Sequence, residues 1–550
     1  MKLPYKHVYL TVAISLIPST LRSQSTTPSA PPTSQSSSAS ISSGASASAR
    51  PSLPPAILEA QQLLRTGKFT ESEAAYNAIL KSEPNSALAY TGLSRVYLKQ
   101  HRVSDADAAA AKALELAPNS DSSKVAVAEV RFRQGRVAEA SQLLTPLVKA
   151  NTSEARAYWE LGRIYWASSY YLHAKLQFDL ANDRDPDDPD IHKRWLFTLT
   201  RKERLAALKN YLAGDTGDDP EERGHLETSL VALADAEDEH RKGCHIASTI
   251  TELHQDMERL MYTAQRIRGY GLKVDINGSK GKLLLDSGAS GILINRKMAE
   301  KAGVEPMART DFHGIGDKGT IGGFIGLANS IKIGGLELQG CIVEVSDKGS
   351  VADTDGIIGS DVFGAFLVDI DFPHYKFHLT PLPPTPPRSD NEKALIAKYP
   401  NIGRFRDAVT PPEFKNFTPV YRFNHMLLIP TRVNELPGKL FLIDTGAFSD
   451  TISPQTAREA TKVRSESEIK VKGLNGTVNN VFTADNITLM FSHFRQPARD
   501  MIAFDTTSIS NGTGVEISGF LGFAMLYQMD VKIDYRDGLV DFGYDPNRFH

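Results

Sequence analysis

This chain of 550 residues contains few cysteines and has a small net charge. Its two cysteines, Cys244 and Cys341, are too few for a disulfide-dense scaffold or a four-thiolate zinc site, and leave open a single bridge. The formal net charge of −3 argues against a nucleic-acid partner bound through a broad basic surface. No uncharged apolar run is long enough to span a membrane. The length allows about two to four domains.

The short motifs of several enzyme classes are also absent. The chain has no His-Glu-x-x-His zinc motif and no glycine-rich loop ending in Gly-Lys-Ser or Gly-Lys-Thr. The glycine-rich string at 314–319 matches a dinucleotide fingerprint, but it does not open a helix inside a strand–helix–strand unit. His240, Cys244 and His245 cluster without a fourth metal ligand. We therefore expect no metal and no organic cofactor.

The N-terminus has the pattern of an export signal. Lys2 and Lys6 precede a short apolar run at 8–18, so residues 1–23 are predicted to be a signal peptide. The protein would then be exported, to a periplasm or out of the cell, with no membrane span after cleavage; an uncleaved signal would leave it membrane-anchored. Residues 24–55 are rich in Ser and Pro and predict a disordered linker.

An internal repeat follows this linker. Pro84 and Pro118 lie 34 residues apart, each followed by Asn-Ser, and Pro186 lies 68 residues further on. The same step of 34 recurs at the expected helix-to-helix turns, at Gly67, His101 and Gly135.

This pattern over residues 56–200 resembles the tetratricopeptide repeat, a helix–turn–helix unit, with three to four copies. The resemblance implies a superhelical surface for a protein partner; a helical spacer without a ligand is the alternative. Residues 201–265 keep a helical pattern and are predicted to form a helical connector.

Beyond this connector, a strand-and-turn pattern contains two copies of one motif. An apolar strand ends in Asp286-Ser287-Gly288 in the first copy and in Asp444-Thr445-Gly446 in the second. Each motif is followed by a glycine-rich loop and then by two apolar residues and a glycine, at 357–359 and 520–522. Residues 268–380 and 418–545 are therefore predicted to be two copies of one β unit, separated by a Pro-rich linker at 381–417.

Paired carboxylates explain why the motif occurs twice. Two carboxyl groups about 3 Å apart do not both ionise easily, so they share a proton and titrate as a unit. The ionised group accepts a proton from water, and the protonated group donates to the carbonyl oxygen of a scissile amide. We expect Ser287 and Thr445 to form hydrogen bonds across the pair, and Gly288 and Gly446 to permit close approach of the backbones.

The glycine-rich loops have the composition of mobile flaps that close over a peptide. The flap candidates are Gly314, Gly316, Gly473 and Gly476. Asn479 and Asn480 stand in the second copy where the first has glycines, so we expect the two flaps to be unequal.

These motifs resemble those of the retropepsin-type aspartic proteases, with both copies in one chain as in pepsin-like enzymes. The resemblance implies a multidomain fold, an all-α repeat solenoid followed by an all-β double domain. It also implies that Asp286 and Asp444 are catalytic and that the activity is that of an aspartic endopeptidase acting on polypeptides. Ala289 and Ala447 follow the motifs, as in retropepsins, and favour a less acidic optimum than that of pepsin.

Two alternatives stay open at this level. The chain could be a binding scaffold with a catalytically silent β domain. The two copies could also pair with their mates in another chain instead of with each other. The geometry of the two carboxylates distinguishes these cases.

Overall fold

The structure is a computed structural model. It describes residues 7–9, 13–14, 53–214, 220–235, 243–263, 266–316, 321–348, 351, 354–466, 468–474, 476–478 and 480–545. The predicted signal peptide and Ser/Pro-rich linker fall outside these residues, except for the strands His7–Tyr9 and Ala13–Ile14 and the last residues before the first helix. Within the described chain, no helix combines the length and the apolar composition that crossing a bilayer requires.

Residues 53–184 form four helix pairs, which confirms the repeat. The pairs are Pro55–Arg65 with Phe69–Ser82, Ala87–Lys99 with Val103–Leu116, Asp121–Arg133 with Val137–Lys149, and Ala155–Ala167 with Tyr171–Arg184. The turn of each pair contains one residue with positive φ, and these residues are spaced by 34: Gly67, His101, Gly135 and Ser169. Helices Pro189–Leu196, Arg201–Leu212 and Pro220–Asp235 continue the solenoid.

Small residues allow the two helices of a pair to approach closely. A Cβ atom on Gly162 would lie 2.7 Å from the Phe178 ring of the partner helix. Ser94 is buried at the equivalent crossing of its pair and donates to the Ala106 carbonyl at 3.0 Å. The repeat therefore keeps a small residue where the helices cross.

The β region consists of two similar halves. The strands of the first half are Glu258–Thr263, Arg266–Ile276, Ser279–Asp286, Ile292–Asn295, Glu305–Gly314, Ile321–Ile333, Leu336–Ser346 and Gly356–Gly359. Those of the second are Tyr421–Phe423, Met426–Val433, Leu436–Ile443, Thr451–Ile452, Val463–Glu466, Val481–Ala484, Ile487–Phe491, Phe494–Ala498, Met501–Phe504 and Gly519–Leu521. Each half also has short helices, Arg296–Lys301 in the first, and Pro454–Ala460, Thr507–Thr513 and Phe523–Leu526 in the second.

In both halves, the strand with two apolar residues and a glycine lies beside the strand that leads into the motif aspartate. Gly356–Gly359 runs parallel to Ser279–Asp286 and places Gly359 opposite Asp286. Gly519–Leu521 runs parallel to Leu436–Ile443 in the same way. Gly356–Gly359 and Gly519–Leu521 are buried along their whole length, so polar residues do not alternate with apolar ones in their sequences.

A sheet shared by both halves joins them. Its strands, in spatial order, are Thr418–Pro419, Leu539–Gly543, Asp530–Asp534, Phe366–Asp371, Lys376–Pro381 and Leu253–Asp256. The two halves meet where Phe366–Asp371 pairs with Asp530–Asp534. The halves therefore pair within one chain, which answers one of the open alternatives.

The helical connector predicted for 201–265 is wrong beyond its second helix. His245–Ile246, Leu253–Asp256 and Glu258–Thr263 are strands that join the sheets of the first half and the shared sheet. Glu258–Thr263 pairs with its neighbour with register shifts at Leu260/Met261 and Met261/Thr263, so its polar and apolar residues do not alternate regularly in the sequence. Cys244, beside the first of these strands, forms a disulfide with Cys341 and ties it to Leu336–Ser346.

The predicted linker at 381–417 is also more than a spacer. It contains a helix, Asp390–Lys398, which begins with a capping box between Ser389 and Glu392. Ile402 is fully buried against Leu172 and Leu176 of the solenoid. The proline count indicated an open chain, but apolar residues after the prolines anchor it to the solenoid.

The solenoid packs directly against the second half. The Phe132 and Phe423 rings lie 6.0 Å apart between centroids, and one apolar cluster includes residues from both regions. The Glu516 amide donates to the Arg133 carbonyl at 2.8 Å, and Arg422 donates to the Tyr171 hydroxyl at 2.8 Å. The two regions therefore share a hydrophobic core.

Candidate active site

The structure brings Asp286 and Asp444 together at the junction of the two halves. Both side chains are 0% exposed, and their carboxyl groups are close enough to share a hydrogen bond. Oδ1 of each carboxylate accepts from the glycine amide two residues on, at 2.8 Å for Asp286 and 2.9 Å for Asp444. The Ala447 amide donates to the same oxygen of Asp444 at 2.8 Å.

The second oxygen of each carboxyl group, Oδ2, is buried and accepts no hydrogen bond from another group of the described chain. A buried acceptor without a donor is costly. A proton on one of the two carboxyl groups makes that group a donor, and the other group accepts from it. The arrangement thus favours the singly protonated pair.

Electrostatics favour the same state. Burial raises the pKa of Asp286 to about 7. Burial, and then the negative charge of Asp286, raise the pKa of Asp444 well above its usual range. Over the interval between the two steps, the pair holds one proton.

Ser287 and Thr445 join the two motifs through reciprocal hydrogen bonds. The Ser287 amide donates to the Thr445 hydroxyl at 3.0 Å, and the Thr445 amide donates to the Ser287 hydroxyl at 3.1 Å. Each hydroxyl then donates across the junction, Ser287 to the Ile443 carbonyl at 2.8 Å and Thr445 to the Leu285 carbonyl at 3.1 Å. These four bonds fix the separation of the aspartates.

Gly288 and Gly446 lie against the opposite aspartates. A Cβ atom on Gly446 would lie 2.1 Å from Oδ2 of Asp286, and one on Gly288 would lie 2.7 Å from Cγ of Asp444. No side chain fits at either position without moving a carboxylate. Glycine is therefore required here for the approach of the two loops.

The flap candidates lie at the ends of two hairpins that contact each other. Gly314 ends the strand Glu305–Gly314 and Gly316 follows it, whereas Gly473 and Gly476 bound the turn of the second hairpin. A Cβ atom on Gly473 would overlap the Ile315 carbonyl, and Lys348 donates to the Leu474 carbonyl at 2.7 Å.

The two hairpins are unequal. The strands of the first are 10 and 13 residues long, and those of the second, Lys470–Gly473 and Gly476–Val478, are 4 and 3. Each also pairs with an extended segment from the N-terminus: His7–Tyr9 runs parallel to Lys470–Gly473, and Ala13–Ile14 runs antiparallel to Glu305–Gly314.

Two buried residues near the aspartates were missed by the sequence analysis. Arg268 donates from Nη1 to the Gly446 carbonyl at 3.1 Å, and His425 lies with Nε2 3.2 Å from the Gly288 carbonyl. Arg268 lies 18 residues before Asp286 and His425 lies 19 before Asp444. This near-equal spacing was the available signal, but the residue types differ and gave no pattern to recognise.

Family comparisons agree with both parts of the architecture. Residues 272–362 match the family model described as aspartyl protease. Residues 57–121 and 126–189 match that of the tetratricopeptide repeat. None of the curated proteins compared with the chain matches it significantly. The protease match covers the first half; the second half is equivalent to it by its strand order and by the reciprocal hydrogen bonds at the junction. The chain thus joins tetratricopeptide repeats to an aspartyl protease-like domain.

Proposed function

We propose that the protein is an aspartic endopeptidase that hydrolyses peptide bonds with water activated between Asp286 and Asp444. The observation that carries this proposal is the buried carboxyl pair, held together by the Ser287–Thr445 bonds. A binding scaffold needs neither a shared proton nor two buried carboxyl groups in contact, since burying them costs stability.

The reaction follows from the singly protonated pair. The ionised carboxylate takes one proton from water while the water oxygen attacks the amide carbon. The protonated carboxyl donates its proton to the carbonyl oxygen, which gives a gem-diol. The gem-diol then collapses: the carboxyl group that took the water proton passes it to the amine nitrogen, the C–N bond breaks, and one gem-diol hydroxyl returns its proton to the other carboxylate. The pair thus regains its starting protonation state.

The hairpins support a polypeptide substrate. Both pair with extended backbone from the N-terminal segment, so their strand edges accept an added strand. Because both carboxyl groups are buried, entry of a peptide requires the two hairpins to separate.

The test uses the full chain, because the solenoid and the second half share a core. Cleavage of a peptide library is measured from pH 3 to 9 for the parent, Asp286→Asn and Asp444→Asn. Asp390→Asn is the matched control, since the Asp390 carboxylate is 97% exposed. We expect activity in the parent and control and none in either active-site variant. Peptide binding without cleavage at any pH would favour the scaffold.

The repeats support a second role, protein–protein interaction. A groove of about 960 Å³ lies between the solenoid and the second half, and its walls include Arg131 and Arg458. We place a polypeptide contact in this groove. Arg131→Glu with Arg458→Glu is expected to weaken cleavage of a long protein substrate and to leave cleavage of a short peptide unchanged. Equal effects on both substrates would contradict this placement.

We also propose that the protein is exported. The Cys244–Cys341 disulfide supports an oxidising compartment, in which such bonds persist. Fractionation of cells expressing a C-terminally tagged chain, with N-terminal sequencing, tests both export and signal cleavage. A tagged chain found in the cytosol with reduced cysteines would contradict the proposal.

A further inference from the structure

Arg268 and His425 each contact a backbone carbonyl of the opposite half. Each is almost fully buried, at 4% and 1% exposure. Arg268, in the strand Arg266–Ile276 of the first half, donates to a carbonyl of the second motif. His425, next to the strand Met426–Val433 of the second half, contacts a carbonyl of the first motif. The two residues therefore occupy equivalent places in the two halves.

Each contact is made to a peptide unit that also holds a catalytic carboxylate. Arg268 holds the carbonyl of the unit between Gly446 and Ala447, and the amide of the same unit donates to Asp444 at 2.8 Å. His425 holds the corresponding carbonyl of Gly288, and the amide of that unit, Ala289, stabilises the ionised form of Asp286. A fixed carbonyl fixes the direction of the amide across a planar peptide bond.

The two contacts differ in charge. A guanidinium is always protonated, whereas burial lowers the pKa of His425 and keeps its imidazole neutral. Asp361 and Arg422 are the charged groups that act on His425, with opposite effects. The neutral ring donates from Nε2 to the Gly288 carbonyl, so only one of the two equivalent positions carries a charge.

We propose that Arg268 and His425 are positioning residues of the carboxyl pair, and that the permanent charge of Arg268 makes Asp286 the ionised, water-activating partner and Asp444 the proton donor. This inference rests on the proposed peptidase function. Gly446, whose carbonyl Arg268 holds, lies directly against Asp286, since a Cβ atom on Gly446 would lie 2.1 Å from Oδ2 of Asp286. The guanidinium charge therefore acts on Asp286 and lowers its pKa, and the charge of Asp286 raises the pKa of Asp444.

The kinetic test compares Arg268→Met, Arg268→Lys and His425→Gln in the full chain. If Asp286 must be ionised, kcat/KM falls at low pH as Asp286 becomes protonated, so this acid limb of the pH profile reports the pKa of Asp286. Loss of the charge in Arg268→Met should therefore move this limb to higher pH by roughly one unit, the lower end of the effect of a neighbouring guanidinium. Arg268→Lys keeps the charge but not the planar fork, so kcat should fall while the limb stays in place. His425→Gln keeps a neutral donor, and its limb should also stay in place.

A merely structural role for Arg268 predicts a different result. Activity would then fall by the same factor at every pH in Arg268→Met, and the acid limb would not move. That outcome would overturn the assignment of Asp286 as the ionised partner. Arg268→Lys keeps the test decisive if Arg268→Met fails to fold, because a moved limb in the lysine variant contradicts the charge argument.

A second readout does not depend on activity. The full chain is labelled with ¹³C at the aspartate carboxyl groups, and the two resonances that disappear in Asp286→Asn and Asp444→Asn are titrated. In Arg268→Met the resonance assigned to Asp286 should titrate at higher pH than in the parent. An unchanged titration would overturn the inference even in an active enzyme. A parent without peptidase activity would refute the proposed function, while the titration would still decide the role of Arg268.

Discussion

The hydroxyl of Thr445 is the most informative single group in the junction between the two halves. It accepts from the Ser287 amide at 3.0 Å and donates to the Leu285 carbonyl at 3.1 Å. Thr445→Val keeps the shape and removes both bonds, which leaves a buried donor and a buried acceptor unsatisfied. At about 1–3 kcal/mol for each group, the expected cost is about 2–6 kcal/mol.

The matched control is Thr445→Ser, because the first half already has a serine at the equivalent position. It keeps the hydroxyl and loses one buried methyl group, at a cost of about 1 kcal/mol. Thr445→Val should also displace Asp444 relative to Asp286 and lower kcat by about a hundredfold. Thr445→Ser should keep most of the parent activity.

Local stability is best measured by hydrogen exchange, because a chain of several regions need not unfold in two states. Peptides covering 279–290 and 436–449 are followed by mass spectrometry with and without a low concentration of urea. Both peptides should exchange faster in Thr445→Val, since the lost bonds join both motifs. Equal exchange and equal kcat in the valine and serine variants would refute the reasoning that the hydroxyl, and not the packing, fixes the pair.

Three further predictions concern the pH profile, the solenoid and the disulfide. The kcat/KM of the parent should rise with pH through about 7, because Asp286 ionises there, and should fall at higher pH, where Asp444 loses its proton. A maximum near pH 2 would contradict this. Phe132→Ala removes a ring that is 1% exposed and should cost about 3–5 kcal/mol, read in urea from the tryptophans, all three in the solenoid; a loss below about 1 kcal/mol would argue against a shared core. Cys244→Ser with Cys341→Ser opens a loop that spans 97 residues and should cost about 2–5 kcal/mol in urea denaturation; an unchanged midpoint would show that the bridge is dispensable.

The carboxyl pair was predictable because its parts are local and repeated. Each aspartate is followed within two residues by the hydroxyl and glycine that its geometry requires, and the order of later motifs is the same in both copies. The sequence also predicted the solenoid, since its turn residues recur with a fixed step. Local order within each repeated unit was therefore enough to predict both architectures.

Contacts between distant parts of the chain were not predictable in this way. Arg268 and His425 occupy equivalent places, but each acts on a carbonyl of the opposite half, and a backbone acceptor imposes no residue type on its donor. The strands between 243 and 263 were missed because they join sheets formed mainly by later residues. In both cases the partner that determines the structure lies far along the chain.

The position of the solenoid links these observations to the site. Phe423, which contacts Phe132 of the solenoid, lies two residues before His425, and Arg422 binds the Tyr171 hydroxyl. The solenoid therefore supports the segment from which His425 reaches the Asp286 motif. A fragment without the solenoid would expose the apolar surface around Phe423 and loosen this segment, so we expect it to lose activity through its fold as well as through any lost partner. The repeats are thus part of the structure that holds the carboxyl pair, in addition to the surface that they offer to a partner.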